Sequence, residues 1–378
     1  MVQKPIQFID LDAQQKYIGA DRIQAAMNRV LEHGKYIMGP EVAEFEAELC
    51  KFGGTSQAVS CSNGTDALIM PLIAWGIGPG DVVFLPSFTF ASTAEAVACL
   101  GASVVFVDIL PDTFNMDPTH LELAIEEVIR DGNGKPAAII AVDLFGLIAD
   151  YPAIRSLADK HGMKVISDAA QGFGSTLNGD QASKWADVTT TSFFPAKPLG
   201  CYGDGGALLT NDAEHADILR SIRVHGKGGD KYDNIRIGMN ARLDTMQAAI
   251  LLEKIAVFSE EIEKRNVVAR RYADKLSDVV TTPAMPEGTV STWAQYTLTV
   301  ENREAVQSAL KDKGVPTAVY YPKPLHQQTA YKHFKAAGNG LPVSERLSTQ
   351  ALSLPMHPYL DEETQNYIID CVRDAVSQ

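Results

Sequence analysis

Lys197 stands between two prolines in the run Ser192-Phe193-Phe194-Pro195-Ala196-Lys197-Pro198-Leu199-Gly200. Lysine is rarely buried without a role or a partner. In an apolar stretch its amine loses hydration, its proton affinity falls, and a neutral, nucleophilic fraction appears. A surface loop lysine is the plainer reading. The apolar flanks and the glycine-rich sequel from Gly200 to Gly206 weigh against it. In Asp168-Ala169-Ala170-Gln171, Asp168 offers a carboxylate to a positive ring nitrogen, and Gln171 reaches the same ligand. A helix cap is the alternative there. Ser62-Asn63-Gly64-Thr65-Asp66 leads into a helix. Exposed amides and a helix amino end hold a phosphate, though Asn, Thr and Asp also cap helices with no ligand at all. In Pro86-Ser87-Phe88-Thr89-Phe90, an aromatic face would stack on a flat heterocycle or simply fill a core.

Each of these segments follows a short apolar run, and those runs must position them. The runs are Gln57–Cys61, Val82–Pro86, Val104–Val107, Ala137–Val142, Lys164–Ser167, Asp187–Phe193 and Ala207–Thr210. Val, Ile or Phe bounded by Gly, Pro, Asp or Asn predicts buried strands. Helical patterns lie between most of them, at Asp66–Trp75, Ser92–Leu100, His120–Arg130 and Ala153–His161. Such alternation predicts an α/β sheet, mostly parallel and covered on both faces. No helix separates the last two runs, so one of them is free to run antiparallel. Ligands of open α/β sheets bind at the carboxyl ends of the strands. A phosphate cup, an aromatic platform, an Asp for a ring nitrogen and a lysine for an aldehyde therefore come in order at successive strand ends. Together they suit pyridoxal 5'-phosphate.

From Asn240 to about Leu276 the pattern becomes long and helical, with Leu243, Met246, Ile250 and Leu251 near helical spacing. It reads as a connection from a large domain, 1–255, into a smaller C-terminal α/β domain, 256–378. The second domain offers strands at Trp293–Val300 and Pro316–Tyr321 and helices around Val343–Gln350 and Glu362–Val376. With 33 basic and 47 acidic side chains the net charge is −14. Nucleic acid and anionic membranes need a positive surface, so neither is an expected partner. Five scattered cysteines without C-x-x-C spacing fit a reducing cytoplasm and argue against disulfides or zinc. The opening MVQKPIQFIDLD lacks the apolar core of a signal peptide. The run Ala96 to Val107 is shorter than the roughly 20 residues a membrane span needs.

Longer motifs carry a resemblance. Asn63–Leu68, Pro86–Thr93, Ser167–Gly174, Ser192–Ala207, Arg236–Leu251, Tyr320–Tyr331 and Leu352–Leu360 together resemble the DegT/StrS-type sugar aminotransferases. These are a branch of the fold-type-I pyridoxal-phosphate enzymes. The likeness covers nearly the whole chain. It implies a mixed, mostly parallel seven-stranded sheet in the large domain. It also implies roles for single residues. Lys197 is the Schiff-base lysine, Asp168 the partner of the pyridinium nitrogen, and Gln171 the neighbour of the phenolic oxygen. Gly64, Thr65 and Ser192 are phosphate ligands, and Phe90 stacks on the ring. Asn240 reaches the phosphate of a neighbouring subunit, which implies a homodimer with shared sites. The family uses glutamate as amino donor, giving 2-oxoglutarate, and converts a nucleotide-linked keto sugar into an amino sugar. Members with histidine in place of the lysine are dehydratases; Lys197 favours transamination.

The stretch Arg223–Asn234 gathers Arg, His and Lys around glycines, as an anionic nucleotide-sugar site does. A charged surface loop has the same composition. With the residues that follow, it is similar to members that aminate C3 of a UDP-linked 2-acetamido-3-keto uronic acid. That implies a role in surface polysaccharide or related amino-sugar synthesis. A sugar carboxylate would explain an extra arginine, Arg242 or Arg223. His225, Tyr321 and His326 are the other expected substrate contacts. Competing readings are C4 amination of a UDP sugar and C3 amination of a dTDP-linked keto-6-deoxy sugar. A cofactor-binding regulator lacks support from any basic DNA-binding segment.

Overall fold

The computed structural model describes residues 5–230 and 232–377. Lys231, in the glycine-rich loop, and the first four residues of the opening segment lie outside them. The seven apolar runs become strands β1 (Gln57–Cys61), β2 (Asp81–Pro86), β3 (Ser103–Val107), β4 (Lys135–Val142), β5 (Lys164–Asp168), β6 (Val188–Ser192) and β7 (Gly206–Thr210). Their spatial order is β1-β7-β6-β5-β4-β2-β3. The pairs from β6 to β3 are parallel, and β7 runs antiparallel to both β6 and β1. The return from β6 to β7 has no crossover helix, which a parallel pair would need.

The expected seven strands are joined by an eighth. Lys335–Ala336 (β8) pairs parallel with β3 and extends that edge. Two residues carry no readable alternation, so only the partner edge reveals the strand. Helices α1 (Leu11–Ile18), α2 (Ala20–His33) and α3 (Pro40–Gly53) precede the sheet. Next come α4 (Gly64–Ala74), α5 (Ser92–Ala98), α6 (Pro118–Asp131), α7 (Tyr151–His161) and α8 (Ala213–Arg223). Asn63, Asp117, Asp150 and Asp212 cap α4, α6, α7 and α8 through side-chain acceptors, the usual way to satisfy a helix's first amides. Both faces of the sheet are covered. Phe84, Ile139 and Val165 pack with Leu121 and Ile154 on one side, and Val83, Ile140 and Ile166 pack with Leu68 and Val97 on the other. Each such side chain, fully buried, contributes roughly 1.5–3 kcal/mol.

Helix α9 (Thr245–Leu276) has 32 residues and links two cores. Its first half buries Leu251 and Phe258 with Phe45, Phe173 and Phe193. Its second half buries Tyr272 and Leu276 against an antiparallel ribbon, Tyr296–Thr299 with Ala351–Leu354. Helices α10 (Arg303–Asp312), α11 (Pro342–Gln350) and α12 (Glu362–Val376) complete that region. Pro316–Tyr321, expected as a strand, is instead an irregular crossing held at one bridge, Ala318 to Ser353. Pro316 lacks the N–H that a ladder needs, and so does Pro322 just beyond the crossing. The crossing carries Tyr321 to the sheet's carboxyl edge, where it meets Gln171. No helix among the described residues is long and apolar enough to cross a membrane.

Candidate active site

The sheet's carboxyl edge brings the predicted groups together. Asp168 is the last residue of β5 and Ser192 the last of β6. Helix α4 starts at Gly64, directly beside Ser192. A Cβ at Gly64 would lie 2.6 Å from the Ser192 Cβ, so only glycine lets the helix start approach the strand end this closely. The first amides of a helix have no partner within it, so those of Gly64 and Thr65 face the Ser192 hydroxyl side with a partial positive charge. Thr65 Oγ1 lies 2.8 Å from Ser92 Oγ. Asn63 Oδ1 accepts the Asp66 amide at 2.8 Å and fixes the turn. The cap therefore uses the Asp66 amide and not those of Gly64 and Thr65.

Asp168 is 6% exposed. Its carboxylate accepts from Thr93 Oγ1 at 3.1 Å and from the Ala170 amide at 3.2 Å. Burial raises its proton affinity above the usual carboxylate range, against the pull of Ala170, Lys197 and Thr93. Lys197 sits in the turn after β6, its amide bonded to the Phe194 carbonyl at 2.8 Å. Burial lowers the affinity of its amine for a proton, and the charge of Asp168 opposes that. One water-poor site thus pushes an acid up and a base down. Thr93, within the motif Pro86–Thr93, is a site contact that sequence reasoning passed over.

Gln171 is held from two sides. The Phe145 amide donates to its Oε1 at 2.6 Å, and its Nε2 donates to Tyr321 Oη at 3.0 Å. The amide contact fixes which end of the carboxamide faces Tyr321. Tyr321 Oη therefore accepts a hydrogen bond from Gln171 and keeps its own O–H to donate elsewhere. Burial holds that phenol well above its ordinary proton affinity. Phe90 is 58% exposed, with its ring centroid 6.4 Å from that of Tyr321. Phe90 thus leaves an exposed aromatic face beside Tyr321.

The segment 223–242 departs from expectation. Arg223, one of the two arginines expected for a sugar carboxylate, is 4% exposed. Its Nη1 contacts Glu46 Oε1 at 2.5 Å and the Ser60 carbonyl at 2.9 Å. An internal anion has taken it, from a helix that sequence spacing does not link to it. His225 is exposed at φ 59°, and its carbonyl accepts from Asn234 Nδ2 at 2.7 Å. Bridges from Val224 to Asn240 and from Lys227 to Asn234 tie the two arms of the loop, with Asn240 exposed at its base. Arg242 is half-buried, and its Nε has no hydrogen-bond partner among the described residues. His326 also differs from expectation. Nδ1 meets Ser87 Oγ at 2.7 Å and Nε2 meets Glu345 Oε1 at 3.0 Å, so both ring nitrogens are engaged within the protein. It ties the turn that carries Phe90 to the segment that carries Tyr321.

Comparison with known proteins places this geometry. The DegT/DnrJ/EryC1/StrS aminotransferase family matches residues 17–373. A UDP-2-acetamido-2-deoxy-3-oxo-D-glucuronate aminotransferase of Pseudomonas aeruginosa is 51% identical over 94% of this chain and 96% of its own. A crystal structure of a DegT DnrJ EryC1 StrS aminotransferase from Brucella abortus superposes with TM-score 0.97. It is 53% identical over 99% of this chain and 100% of the other. The NtdA structure of Bacillus subtilis, with bound cofactor PMP, superposes with TM-score 0.87. It is 31% identical over 98% of this chain and 83% of the other.

Proposed function

The chain belongs to the DegT/DnrJ/EryC1/StrS aminotransferase family and is a pyridoxal-phosphate-dependent sugar aminotransferase, and from that premise we propose its substrates and the part each residue plays. The sugar is UDP-2-acetamido-2-deoxy-3-keto-glucuronate, aminated at C3, and glutamate is the donor. The carrying observation is the desolvated Lys197 amine, within reach of the charge of buried Asp168, at the edge where Gly64 packs on Ser192. The identity of 51% to an enzyme of that name supports the sugar. So does Arg242, whose half-buried guanidinium keeps an unpartnered Nε for an added carboxylate.

The cofactor supplies an aldehyde that condenses with amines and a ring that accepts electrons from the bond being broken. Lys197 would hold that aldehyde, and its amine, when free, would carry the proton between the donor's Cα and the cofactor carbon as general base and acid. Burial lowers the proton affinity of that amine and so favours its neutral form. Asp168 holds the proton on the ring nitrogen, and Thr93 and Ala170 aim its carboxylate. Gly64, Thr65 and Ser192 bind the phosphate, Phe90 covers the ring, and Gln171 faces its phenolic oxygen. Tyr321 and His225 contact the sugar or its diphosphate, and His326 positions Tyr321. Asn240 serves the site of a second copy, in a homodimer. The division into domains 1–255 and 256–378, and residence in a cytoplasm that keeps the five thiols free, belong to the same reading.

The test supplies glutamate with a panel of UDP-, dTDP- and GDP-linked keto sugars and follows product mass. Amino sugar from the UDP-linked 3-keto uronate, above all others, is the expected result. Product only from a neutral 4-keto or dTDP-linked sugar would overturn the substrate, and none from any would overturn the function.

A further inference from the structure

A second carboxyl lies behind Asp168. Asp143 follows β4 and is fully buried. Its amide donates to the Asp168 carbonyl at 3.0 Å, continuing the register in which Val142 pairs with Asp168. Its side chain turns the other way. Oδ1 accepts from the Ala149 amide at 3.0 Å and from Tyr151 Oη at 2.9 Å, and Oδ2 accepts from Ser167 Oγ at 3.3 Å. Successive residues of a strand face opposite sides, so Ser167 separates Asp143 from the side that Asp168 faces. The chain just after Asp168 packs tightly on Asp143, because a Cβ at Gly172 would come within 2.3 Å of the Asp143 Cβ.

Among the described residues, the titratable groups that act on Asp143 are Tyr151 of α7, through its hydrogen bond, and Asp168 of β5, through its charge across the sheet, and neither is a cation. Beyond Asp168 stands Lys197. Burial first, and the charge of Asp168 with it, push the Asp143 carboxyl up to about 7. Three donors oppose that, and the charged form prevails above that pH.

We propose that Asp143 is a positioning residue whose charge strengthens the hold of Asp168 on the proton of the cofactor's ring nitrogen. The proposal rests on the role given to Asp168 above. Two carboxyls in one low-dielectric region repel each other, so a proton or a cation beside either is held more tightly than by one alone. Asp143 touches neither cofactor nor substrate; it acts through Asp168.

Asp143→Asn separates charge from shape. The amide oxygen can accept from Ala149 and Tyr151, and the amide nitrogen can donate to Ser167, so all three contacts persist. The readout is the absorbance of the bound cofactor across pH in the holoenzyme, with the cofactor dissociation constant measured beside it. Loss of a nearby negative charge disfavours the protonated forms. The midpoint of the absorbance change therefore falls by on the order of one pH unit, and cofactor binding weakens by about tenfold. Tyr151→Phe removes one donor to the charged form and moves the midpoint the same way by less. A midpoint equal to that of the unaltered enzyme in either folded variant overturns the proposal. Borohydride fixation to Lys197 in the unaltered enzyme is checked first. Its failure would overturn the cofactor reading, whereas fixation with an unmoved midpoint overturns only the role of Asp143.

Discussion

The turn after β6 and the segment 223–242 each withdraw a cation from water beside the sheet, and they treat it in opposite ways. Arg223 meets Glu46 directly and bonds the Ser60 carbonyl, so its charge is spent inside the protein. Lys197 feels Asp168, yet burial outweighs that anion and its proton affinity falls. The first arrangement stores stability; the second stores reactivity. Lys254, in the middle of α9, lies between them. It is 1% exposed, its Nζ has no hydrogen-bond partner among the described residues, and the Tyr202 ring lies 4.4 Å away. Burial lowers it to about 8, with Glu261 and Cys201 opposing. A desolvated lysine alone is therefore no mark of catalysis; an acid, an anion cup and an aromatic face around it are.

The comparison breaks most sharply at Lys197. Lys197→Ala should lower turnover by about 10⁴-fold while thermal unfolding stays near that of the unaltered enzyme. A large loss of stability with modest loss of turnover would put Lys197 in the structural class. Arg223→Met should do the reverse. It strands Glu46, whose side chain is 16% exposed, and costs about 3–5 kcal/mol of stability. The folded fraction should keep its kcat/KM for the sugar; a raised KM with unchanged Tm would return Arg223 to the substrate site.

Lys254 sharpens the contrast through pH. Its proton affinity in the folded state, about 8, lies below the ordinary 10.5. Below pH 8 the folded state must keep a buried charge, so stability rises with pH between the two values. Lys254→Met should therefore be more stable than the unaltered protein at pH 7, by on the order of 3 kcal/mol. That advantage should shrink as pH approaches 10.5. Denaturant unfolding at several pH values decides it, and a gap that does not vary with pH contradicts the assignment. The smallest effect is expected at Phe90. Phe90→Leu keeps apolar cover but loses the flat face, and should weaken cofactor binding by an amount near 1 kcal/mol, about fivefold. An unchanged dissociation constant would place the ring away from the cofactor.

The sheet and its carboxyl edge were legible because local sequence determines them. Each strand is an apolar run ended by a polar turn, and the groups at those turns fall in chain order along one edge. Asp168, Gln171 and Lys197 needed only their strands to be placed. What sequence hid was non-local. Glu46 lies far from Arg223 in the chain, and only the packing of α3 and α8 on β1 joins them. His326 looked free until Ser87 and Glu345 met its two nitrogens. The strand Lys335–Ala336 exists only because β3 offers it an edge. Asp143 gave no signal at all, since its meaning depends on the register of β4 with β5.

Two buried lysines compete for one role, and one measurement separates them. Borohydride reduction of the pyridoxal-phosphate holoenzyme, followed by digestion and mass mapping, fixes the cofactor to a single peptide. The predicted peptide carries Lys197, between Pro195 and Pro198. Label on Lys254, or on any peptide without Lys197, would contradict the account.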